Sequence, residues 1–368
     1  ERIGIRGSLL KHKTDKGEKI IEQDMPNHKI ALKLVLEALV NPEYGAIRSM
    51  AEIDAVGHRM VHSAEDCDSS VLLTDEVMEK CRRNAELAPL HMPANILGVE
   101  ACKEVMPNTP MGLVFDTAFH STMPSYAYMY AIDYDDYKKY KIRRYGFHGT
   151  SHKYVSQEAI RYLSKKAEDT KIVTCHLGGG SSISAVRGGK CVDTSMGFTP
   201  LAGVPMGTRS GDIDPAVLEY LSAKKGFSML DCVNYLNKNC GVAGISGVSS
   251  DFRDLTKAAD EGNERAKLAI DVFVYDVKKY IGSYVAAMNG IDCLVFTAGI
   301  GENTSVIRKA ICEDMEFFGI KIDESKNAMK NDGTIHDISA SDSRVKVLII
   351  PTNEELVIAR ETKELLQK

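Results

Sequence analysis

The sequence predicts an α/β protein with mixed sheets, and three observations support this fold class. Strand-like apolar runs alternate with helical patterns along most of the chain. Neither a repeat of roughly 20–50 residues nor a low-complexity linker interrupts the alternation. The 368 residues suit two domains, at the usual roughly 100–200 residues per domain.

The first third of the chain contains a helix and two strands that can be placed by pattern. Residues 29–39 have the apolar spacing of an amphipathic helix, and residues 53–56 and 113–115 read as buried strands. The second of these strands ends at Asp116. A polar residue thus appears where a strand stops.

The middle of the chain predicts a strand, a glycine loop and a second strand. Residues 172–175 and 182–186 are the strands, and three consecutive glycines separate them. Residues 187–190 form a hairpin turn that leads into a third strand. Asp214 and Pro215 then open a helix as N-cap and first residue, and Gly226 closes it.

The last third predicts a long helix, two strands and a C-terminal helix. Residues 264–289 have helical spacing and stop at Gly290. A strand at 293–296 runs into a glycine-rich turn at 297–303, and a helix follows from about Thr304. Residues 345–350 form the last strand, Pro351 breaks it, and residues 354–366 form the final helix.

Composition excludes several classes of partner. A net charge of −5 and a pI of about 6.1 leave no basic field for nucleic acid or anionic lipid. No apolar run approaches the ~18 residues that span a bilayer. Nine scattered cysteines without a CxxC pair favour a reduced, cytosolic compartment. The chain opens on Glu1 without a Met or a signal peptide, so we expect a protein that lacks its true beginning.

Two glycine-rich turns at strand ends favour phosphate chemistry, because glycine lets backbone N–H groups approach phosphate oxygens. Neither turn matches a Walker A loop or a Rossmann fingerprint, and each could also be a plain tight turn. The glycine-dense stretch 194–215 carries Arg209, which fits delivery of a guanidinium to an anion or a solvated surface loop. Arg59, between apolar residues at a strand end, needs an anion, solvent or a structural ion pair.

Other patterns favour structural roles. His58 with His62, and His148 with His152, have i,i+4 spacing, but both pairs lack the HExxH glutamate and the first pair lies on a strand. We therefore interpret these histidines as hydrogen-bonding or structural, not as zinc ligands. The tyrosines between residues 126 and 145 are interrupted by aspartates, which favours packing or an interface over nucleic acid. Cys175 is interpreted as a buried strand cysteine, as is Cys191, rather than a nucleophile.

Five motifs together resemble the acetate kinase family, of the superfamily that includes sugar kinases, actin and the heat-shock chaperone ATPases. They cover essentially the whole chain in the expected order and are residues 115–120, 145–152, 193–214, 296–303 and 352–355. The resemblance implies two actin-like (ribonuclease H-like) domains, with mixed sheets flanked by helices, around a nucleotide cleft. The implied domains are residues 1–117 with 355–368, and residues 118–354. It also implies a homodimer that converts ATP and acetate to ADP and acetyl phosphate with Mg²⁺, or Mn²⁺ in its place.

The resemblance also implies roles for individual residues. Asp116, His148 and Arg209 would be catalytic, Arg59 would bind substrate, and Glu354 would help to hold Mg²⁺. The acetate methyl group would lie in an apolar pocket formed by Val61, Leu90, Phe147 and Pro200. The nucleotide would lie along His176, Gly178, Gly179, Gly180, Asp251, Phe252, Arg253, Gly299, Ile300, Gly301 and Asn303.

Elementary chemistry supports this reading. Acetate is already an anion at neutral pH, so its attack on a phosphoryl group requires no general base, and charge neutralisation must dominate. We therefore expect Asp116 to orient Arg59 or a metal-bound water. The alternatives are a propionate or butyrate kinase of the same family, since one methylene is worth only ~1–3 kcal/mol, and a non-catalytic nucleotide-gated clamp. A zinc hydrolase is a third alternative.

The chain departs from the family pattern in two places. The family's opening strand and Asn-x-Gly-Ser-Ser-Ser-x-Lys phosphate loop do not precede Glu1. The usual His-Leu-Gly-Asn-Gly motif is present as His-Leu-Gly-Gly-Gly, with Gly179 in place of the asparagine. A backbone group or water would have to replace that amide near the phosphates, or the preferred phosphoryl donor would differ.

Overall fold

The computed structural model describes residues 2–4, 6–88 and 91–367. The strands in chain order are β1 Leu9–Thr14, β2 Gly17–Glu22, β3 Val56–Met60, β4 Val71–Leu72, β5 Met111–Phe115, β6 Lys171–Leu177, β7 Ser181–Arg187, β8 Lys190–Thr194, β9 Cys293–Thr297, β10 His336–Asp337 and β11 Lys346–Ile349. The α-helices in chain order are α1 His28–Leu39, α2 Asp75–Arg83, α3 Met92–Val105, α4 Ser125–Tyr128, α5 Tyr134–Tyr140, α6 Gly149–Leu163, α7 Ala216–Lys225, α8 Met229–Lys238, α9 Gly241–Ser246, α10 Phe252–Asp260, α11 Glu264–Met288, α12 Ala298–Asn303, α13 Ser305–Cys312, α14 Glu324–Asn327 and α15 Glu354–Leu366.

Most of the helices and strands expected from the sequence are present. Helices α1, α11 and α15 match their expected ranges to within a residue, and β6, β7 and β11 contain or overlap the expected strands. The turn between β7 and β8 has Gly188 and Gly189 at positive φ, as a tight hairpin requires. The expected α/β class with mixed sheets is confirmed.

Two compact units divide the chain, one ending at Ala118 and resuming at Glu355, the other comprising Phe119–Glu354. In the first unit, β3 pairs in parallel with β5, and β4 pairs with β5 in antiparallel orientation. Gly57 and Gly112 lie opposite each other in this sheet, and a Cβ on either would lie 2.7 Å from Thr362 Oγ1. The glycine pair therefore lets helix α15 pack closely on the sheet.

The sheet of the second unit has the strand order β10-β11-β9-β6-β7-β8. Strands β11, β9 and β6 are parallel neighbours, whereas β7 and β8 continue from β6 in antiparallel pairs. Side chains alternate between two buried faces: Val173 packs in the core with Phe273 of α11, and Ile172 packs with Val155 of α6. Helices on both faces thus fix the carboxyl ends of β6 and β9.

Two expectations from the sequence are wrong. Residues 53–56 do not form a strand: Ile53 ends a short 3-10 turn, and the strand runs instead from Val56 to Met60, where pairing with β5 overrides the low strand propensity of Gly57. The segment 297–303 is not an open turn, because residues from Ala298 onwards form α12. The Glu302 carboxylate accepts the Ala298 N–H at 2.8 Å, which caps this short helix from within.

No helix in the described ranges combines the length and the apolar character that crossing a bilayer demands.

Candidate active site

Arg59 and Asp116 are brought together by neighbouring parallel strands of the first unit. Arg59 lies on β3 opposite Val114 of β5, and Asp116 follows β5 directly, with its N–H donating to the Met60 carbonyl at 2.9 Å. The guanidinium donates from Nε to Oδ1 at 3.0 Å and from Nη2 to Oδ2 at 2.5 Å. This two-pronged arrangement fixes the plane of the guanidinium.

The two partners differ sharply in exposure. The Asp116 side chain is 2% exposed, whereas that of Arg59 is 45% exposed. Burial raises the pKa of the Asp116 carboxyl, and the charge and hydrogen bonds of Arg59 oppose the rise. Asp116 therefore anchors the guanidinium from the protein side, and the outer part of Arg59 stays accessible to an anion.

Val61 follows β3 and is 4% exposed, with its N–H donating to the Asn95 side chain at 3.0 Å. Its neighbour His62 is fully buried, and burial lowers its pKa to about 4. Leu90, which the sequence assigned to the same apolar pocket, lies outside the described residues.

Arg209 lies on a loop of the second unit that backbone hydrogen bonds hold from both sides. At its base, Gly203 and Asp212 exchange two bonds: Asp212 N donates to Gly203 O, and Gly203 N donates to Asp212 Oδ1, each at 2.8 Å. At its tip, the N–H groups of Val242 and Ala243 of α9 donate to the carbonyls of residues 206 and 207. The loop that carries Arg209 is thus a fixed part of the unit.

The Arg209 guanidinium has no carboxylate within ion-pair distance in the described part of the chain. Its recorded hydrogen-bond acceptors are the Pro200 carbonyl at 3.3 Å and the Met206 sulfur at 3.6 Å. Burial lowers its pKa, but an arginine still remains charged at neutral pH. A half-buried cation without a counter-charge is suited to binding an anionic ligand.

His148 and Arg209 converge beside Gly180 of the glycine loop. A Cβ built on Gly180 would lie 3.3 Å from His148 Nε2 and 3.5 Å from Arg209 Nη1. His148 precedes α6 in the left-handed conformation, with φ of 56°. The glycine therefore keeps open the space that an imidazole and a guanidinium share.

The glycine loop is bonded to the Arg209 loop, which in turn lies close to Ser250, just before α10. Gly207 N donates to the Gly179 carbonyl at 3.4 Å, and a Cβ on Gly207 would lie 3.2 Å from Ser250 Cβ. Gly178 N and Gly180 O form a bond of 3.1 Å across the loop. A Cβ on Gly179 would meet nothing within 4 Å, so a larger side chain fits there.

A second imidazole lies directly against His148. The rings of His148 and His176 stack with centroids 4.1 Å apart at an interplanar angle of 21°. His176 Nδ1 lies 2.8 Å from Ser151 Oγ, which is 2.8 Å from Thr352 Oγ1. This network reaches the residues that immediately precede Glu354.

Two of the remaining candidate nucleotide residues, Arg253 and Asn303, line a cavity of the second unit. Arg253, Asn303 and Thr304 line this cavity of about 480 Å³. Asp251 is paired with the exposed Arg253, which lowers the pKa of Asp251 to about 2. The ring of Phe252 is instead buried in the core, with its centroid 4.7 Å from that of Phe273.

The two glycines of helix α12 differ in their surroundings. Gly299 is exposed, with nothing within 4 Å of an added Cβ, whereas a Cβ on Gly301 would lie 3.4 Å from the Phe296 backbone. Ile300 is half-buried against the core. The Gly301 carbonyl accepts a bond of 2.9 Å from the buried Arg308, which fixes the segment.

Two predicted pocket residues lie near the Arg209 loop or the glycine loop. Phe147 is 2% exposed, and its carbonyl lies 2.9 Å from His120 Nε2. Pro200 is half-buried and accepts from Arg209.

The thiols of Cys175 and Cys191 are buried, and burial raises the pKa of both, which disfavours a nucleophilic role.

The donor set for a metal is small. Within the described ranges, no group of three or more His, Cys, Asp or Glu side chains could hold a metal ion. Glu354, half-buried at the start of α15, supplies one carboxylate. This set fits Mg²⁺, which usually binds one or two carboxylates together with substrate phosphates and water.

Sequence reasoning missed the residues behind the site. Ser182 Oγ joins His148 Nδ1 to His152 Nε2, and Glu302 Oε1 accepts from the backbone N–H of Ala298 and Thr352. His152 was interpreted only as structural or hydrogen-bonding. These contacts join residues up to 50 positions apart in the chain, so a local sequence pattern does not predict them.

Comparison with known proteins identifies the family of the chain. The Acetokinase family model matches residues 1–360. The acetate kinases of Clostridium novyi and Thermoanaerobacterium thermosaccharolyticum are 58% and 59% identical to this chain, with all of it and 91% and 92% of those proteins covered.

Solved structures also match nearly the whole chain. The crystal structure of Porphyromonas gingivalis acetate kinase has a TM-score of 0.93 at 47% identity, covering 100% of this chain and 92% of that one. A propionate kinase from Francisella tularensis has a TM-score of 0.91 at 41% identity, covering 99% and 91%. These matches confirm the expected two-domain actin-like fold. The chain belongs to the acetokinase family, whose members are phosphotransferases with a carboxyl group as acceptor.

Proposed function

We propose that this chain catalyses the reversible transfer of the γ-phosphoryl group of ATP to acetate, giving acetyl phosphate and ADP by direct in-line transfer. The observation that carries the proposal is the Arg209 guanidinium, half-buried beside His148 and Gly180 with no carboxylate within ion-pair distance in the described ranges. A phosphoryl group and a carboxylate repel each other, so a fixed cation lowers the barrier to their approach.

The protein's part in this reaction is positioning and charge neutralisation. Acetate is ionised at neutral pH and attacks through its own oxygen, so no side chain has to remove a proton. Arg59, fixed in plane by the buried Asp116, binds the acetate carboxylate. Arg209 binds the transferring phosphoryl group, and His148 donates a hydrogen bond to it in the transition state.

The nucleotide lies along the glycine loop and the cavity of the second unit. Backbone groups of Gly178 to Gly180 approach the phosphates, and His176 supports His148 from behind. Asp251, Arg253 and Asn303 border the remainder of the nucleotide, together with the exposed backbone of Gly299. Because Gly179 has open space around it, a water can occupy the position of the family's usual amide.

Mg²⁺, with Mn²⁺ as a substitute, would be held by Glu354 and the nucleotide phosphates. When bound, the ion neutralises phosphate charge as a Lewis acid. The chain's own contribution is to fix Glu354 at the start of α15, next to Thr352, which bonds to Ser151.

Acetate is the proposed acceptor, and propionate is the second candidate. The curated relatives named above are acetate kinases at 58% and 59% identity, whereas the solved propionate kinase is 41% identical. Val61, Leu90, Phe147 and Pro200 would surround the methyl group. One methylene changes binding by only ~1–3 kcal/mol, so the preference is a matter of degree.

The test is ATP-dependent acyl phosphate formation, measured with acetate, propionate and butyrate by hydroxylamine trapping of protein expressed from its complete reading frame. We expect kcat/KM to be highest for acetate and turnover to require Mg²⁺. ATP binding without acyl phosphate formation from any of the three acids would support a nucleotide-gated clamp. Metal-dependent hydrolysis without ATP would support a zinc hydrolase.

The proposal includes a homodimer in the cytoplasm. The cysteines in the described chain are free thiols, which suits a reducing compartment. Light scattering on the purified protein distinguishes a dimer of about twice 40.4 kDa from a monomer.

A further inference from the structure

A chain of hydrogen bonds runs from the protein interior to His148. Thr174 Oγ1 lies 2.7 Å from His152 Nδ1, His152 Nε2 lies 2.7 Å from Ser182 Oγ, and Ser182 Oγ lies 2.8 Å from His148 Nδ1. Thr174, His152 and Ser182 are each 0% exposed, so water does not compete for these bonds.

The direction of donation along the chain is set at its inner end. The Thr174 hydroxyl has two acceptors within reach, His152 Nδ1 at 2.7 Å and the Ser184 carbonyl at 3.5 Å. A contact of 3.5 Å is too long for a good hydroxyl hydrogen bond, which is normally about 2.7–2.8 Å long, so we assign the Thr174 hydroxyl proton to the bond with His152 Nδ1. His152 Nδ1 is therefore an acceptor.

The remaining donors follow from that assignment. Burial lowers the pKa of His152 well below its usual value, so the ring is neutral and carries its one proton on Nε2. His152 Nε2–H donates to Ser182 Oγ, and the single Ser182 hydroxyl proton then donates to His148 Nδ1. In a neutral His148 the proton is consequently on Nε2, the atom that lies beside the Gly180 position and Arg209.

We propose that Thr174, His152 and Ser182 are positioning residues that fix the orientation and tautomer of His148, so that the neutral imidazole presents Nε2–H to the transferring phosphoryl group. This inference deepens the proposed function and rests on it. What it adds is that His148 donates a hydrogen bond as the neutral imidazole, without first taking up a proton from solvent. The opposite direction of donation would present a lone pair to an anion, which would repel it.

Charged and titratable groups in the described part of the second unit approach His148 from more than one element. His176 of β6 stacks on its ring, Arg209 approaches from its loop, and His152 of α6 is joined through Ser182.

The first test is the tautomer of His148 in the wild-type protein. A long-range ¹H–¹⁵N spectrum of histidine-labelled protein at pH 8, assigned with His148→Gln, should show Nε2 protonated and Nδ1 unprotonated for this residue. A protonated Nδ1 would overturn the proposal. This measurement needs no turnover. If the protein shows the expected tautomer but forms no acyl phosphate, the proposed function is wrong and the tautomer assignment stands.

The second test removes the Ser182 hydroxyl, which links His152 to His148, and keeps both imidazole side chains. Ser182→Ala should lower kcat by about tenfold or more, leave KM for ATP within about twofold, and shift the His148 nitrogen resonances towards tautomer-averaged positions. The matched control is Ser156→Ala, which removes another buried hydroxyl, one that donates to the Lys153 carbonyl of its own helix. Wild-type kcat and unchanged His148 resonances in Ser182→Ala would contradict the proposal.

Discussion

Arg59 Nε and Nη2 donate to the two carboxylate oxygens of Asp116, one of the most deeply buried charged groups of the first unit. Asp116→Asn preserves the shape but replaces one acceptor oxygen with an NH₂ donor that faces the guanidinium. We expect kcat to fall by roughly tenfold or more and KM for acetate to rise, because Arg59 loses its fixed plane.

The same variant distinguishes an orienting carboxylate from a base. If Asp116 removed a proton, its replacement would give a rate that rises with pH as hydroxide substitutes for it. We expect instead the same shape of pH profile as the wild type between pH 6 and 8.5. Unchanged kcat and Mg²⁺ dependence would show that the assignment is wrong, and the exposed turn variant Asp15→Asn serves as control.

The glycine loop offers a matched pair of substitutions. Gly180→Ala places a methyl group 3.3 Å from His148 Nε2 and 3.5 Å from Arg209 Nη1, in the space proposed for phosphate. In Gly179→Ala or Gly179→Asn the added Cβ meets nothing within 4 Å. We expect Gly180→Ala to lower kcat/KM for ATP by more than about tenfold and both Gly179 variants to change it far less. Equal effects at the two positions would contradict this placement of the phosphates.

Gly112 is a packing position of the first unit. A methyl group there would lie 2.7 Å from Thr362 Oγ1 and 3.1 Å from its Cγ2, so helix α15 must shift. We expect Gly112→Ala to cost about 1–3 kcal/mol in the free energy of unfolding. The control, Gly98→Ala in α3, meets nothing within 4 Å and should stabilise the helix by up to about 1 kcal/mol.

A compensating change checks the cause of this loss. Thr362→Ala removes both close atoms, and the double variant should regain part of the stability that Gly112→Ala loses. Urea unfolding of the four proteins measures the coupling. Additive losses in the double variant would show that the two side chains do not collide.

Acid should destabilise the fold through buried histidines. Burial lowers the pKa of His58, His62 and His120 to about 4, from an unfolded value of about 6.5. Between these values the unfolded chain binds protons that the folded chain does not, so stability is full above pH 6.5 and falls as pH decreases to 4. Each histidine contributes a loss of roughly 3 kcal/mol by pH 4.

Urea unfolding between pH 4 and 8 measures this effect. We expect the free energy of unfolding to rise with pH at a slope approaching four protons near pH 5, because the buried His152, whose pKa is also lowered, titrates in the same range as the other three. His120→Gln should reduce the slope by about one proton, because it removes one of the titrating groups. A stability that is flat from pH 4 to 7 would contradict the burial of these histidines.

The sequence is informative where chemistry depends on local pattern. Residues 113–116 predict a buried strand that ends at a carboxylate, and residues 176–180 predict a glycine loop after a strand; both are present. The strand that carries Arg59 was displaced in the prediction, because Gly57 and His58 have little strand propensity and only pairing with β5 makes them extended.

Long-range contacts account for what the sequence could not show. The bond from Ser182 to His148 joins residues 34 positions apart, and the Thr352 N–H reaches Glu302 across 50 positions. The helical form of residues 298–303 depends on the Glu302 carboxylate bonding to Ala298 N–H, whereas two glycines in the segment favour a turn. Such features become visible only when the sheet brings its strand ends together.

Arg209→Lys tests the central claim most directly, that a fixed guanidinium neutralises the transferring phosphoryl group. The measurement is the rate of acetyl phosphate formation at saturating ATP, acetate and Mg²⁺, compared with the exposed control Arg161→Lys on α6. An ammonium cannot reproduce the planar fork, so we expect kcat to fall by more than roughly tenfold in Arg209→Lys, with an unchanged melting temperature and a normal rate in the control. A near-normal kcat in a folded Arg209→Lys protein would contradict the account.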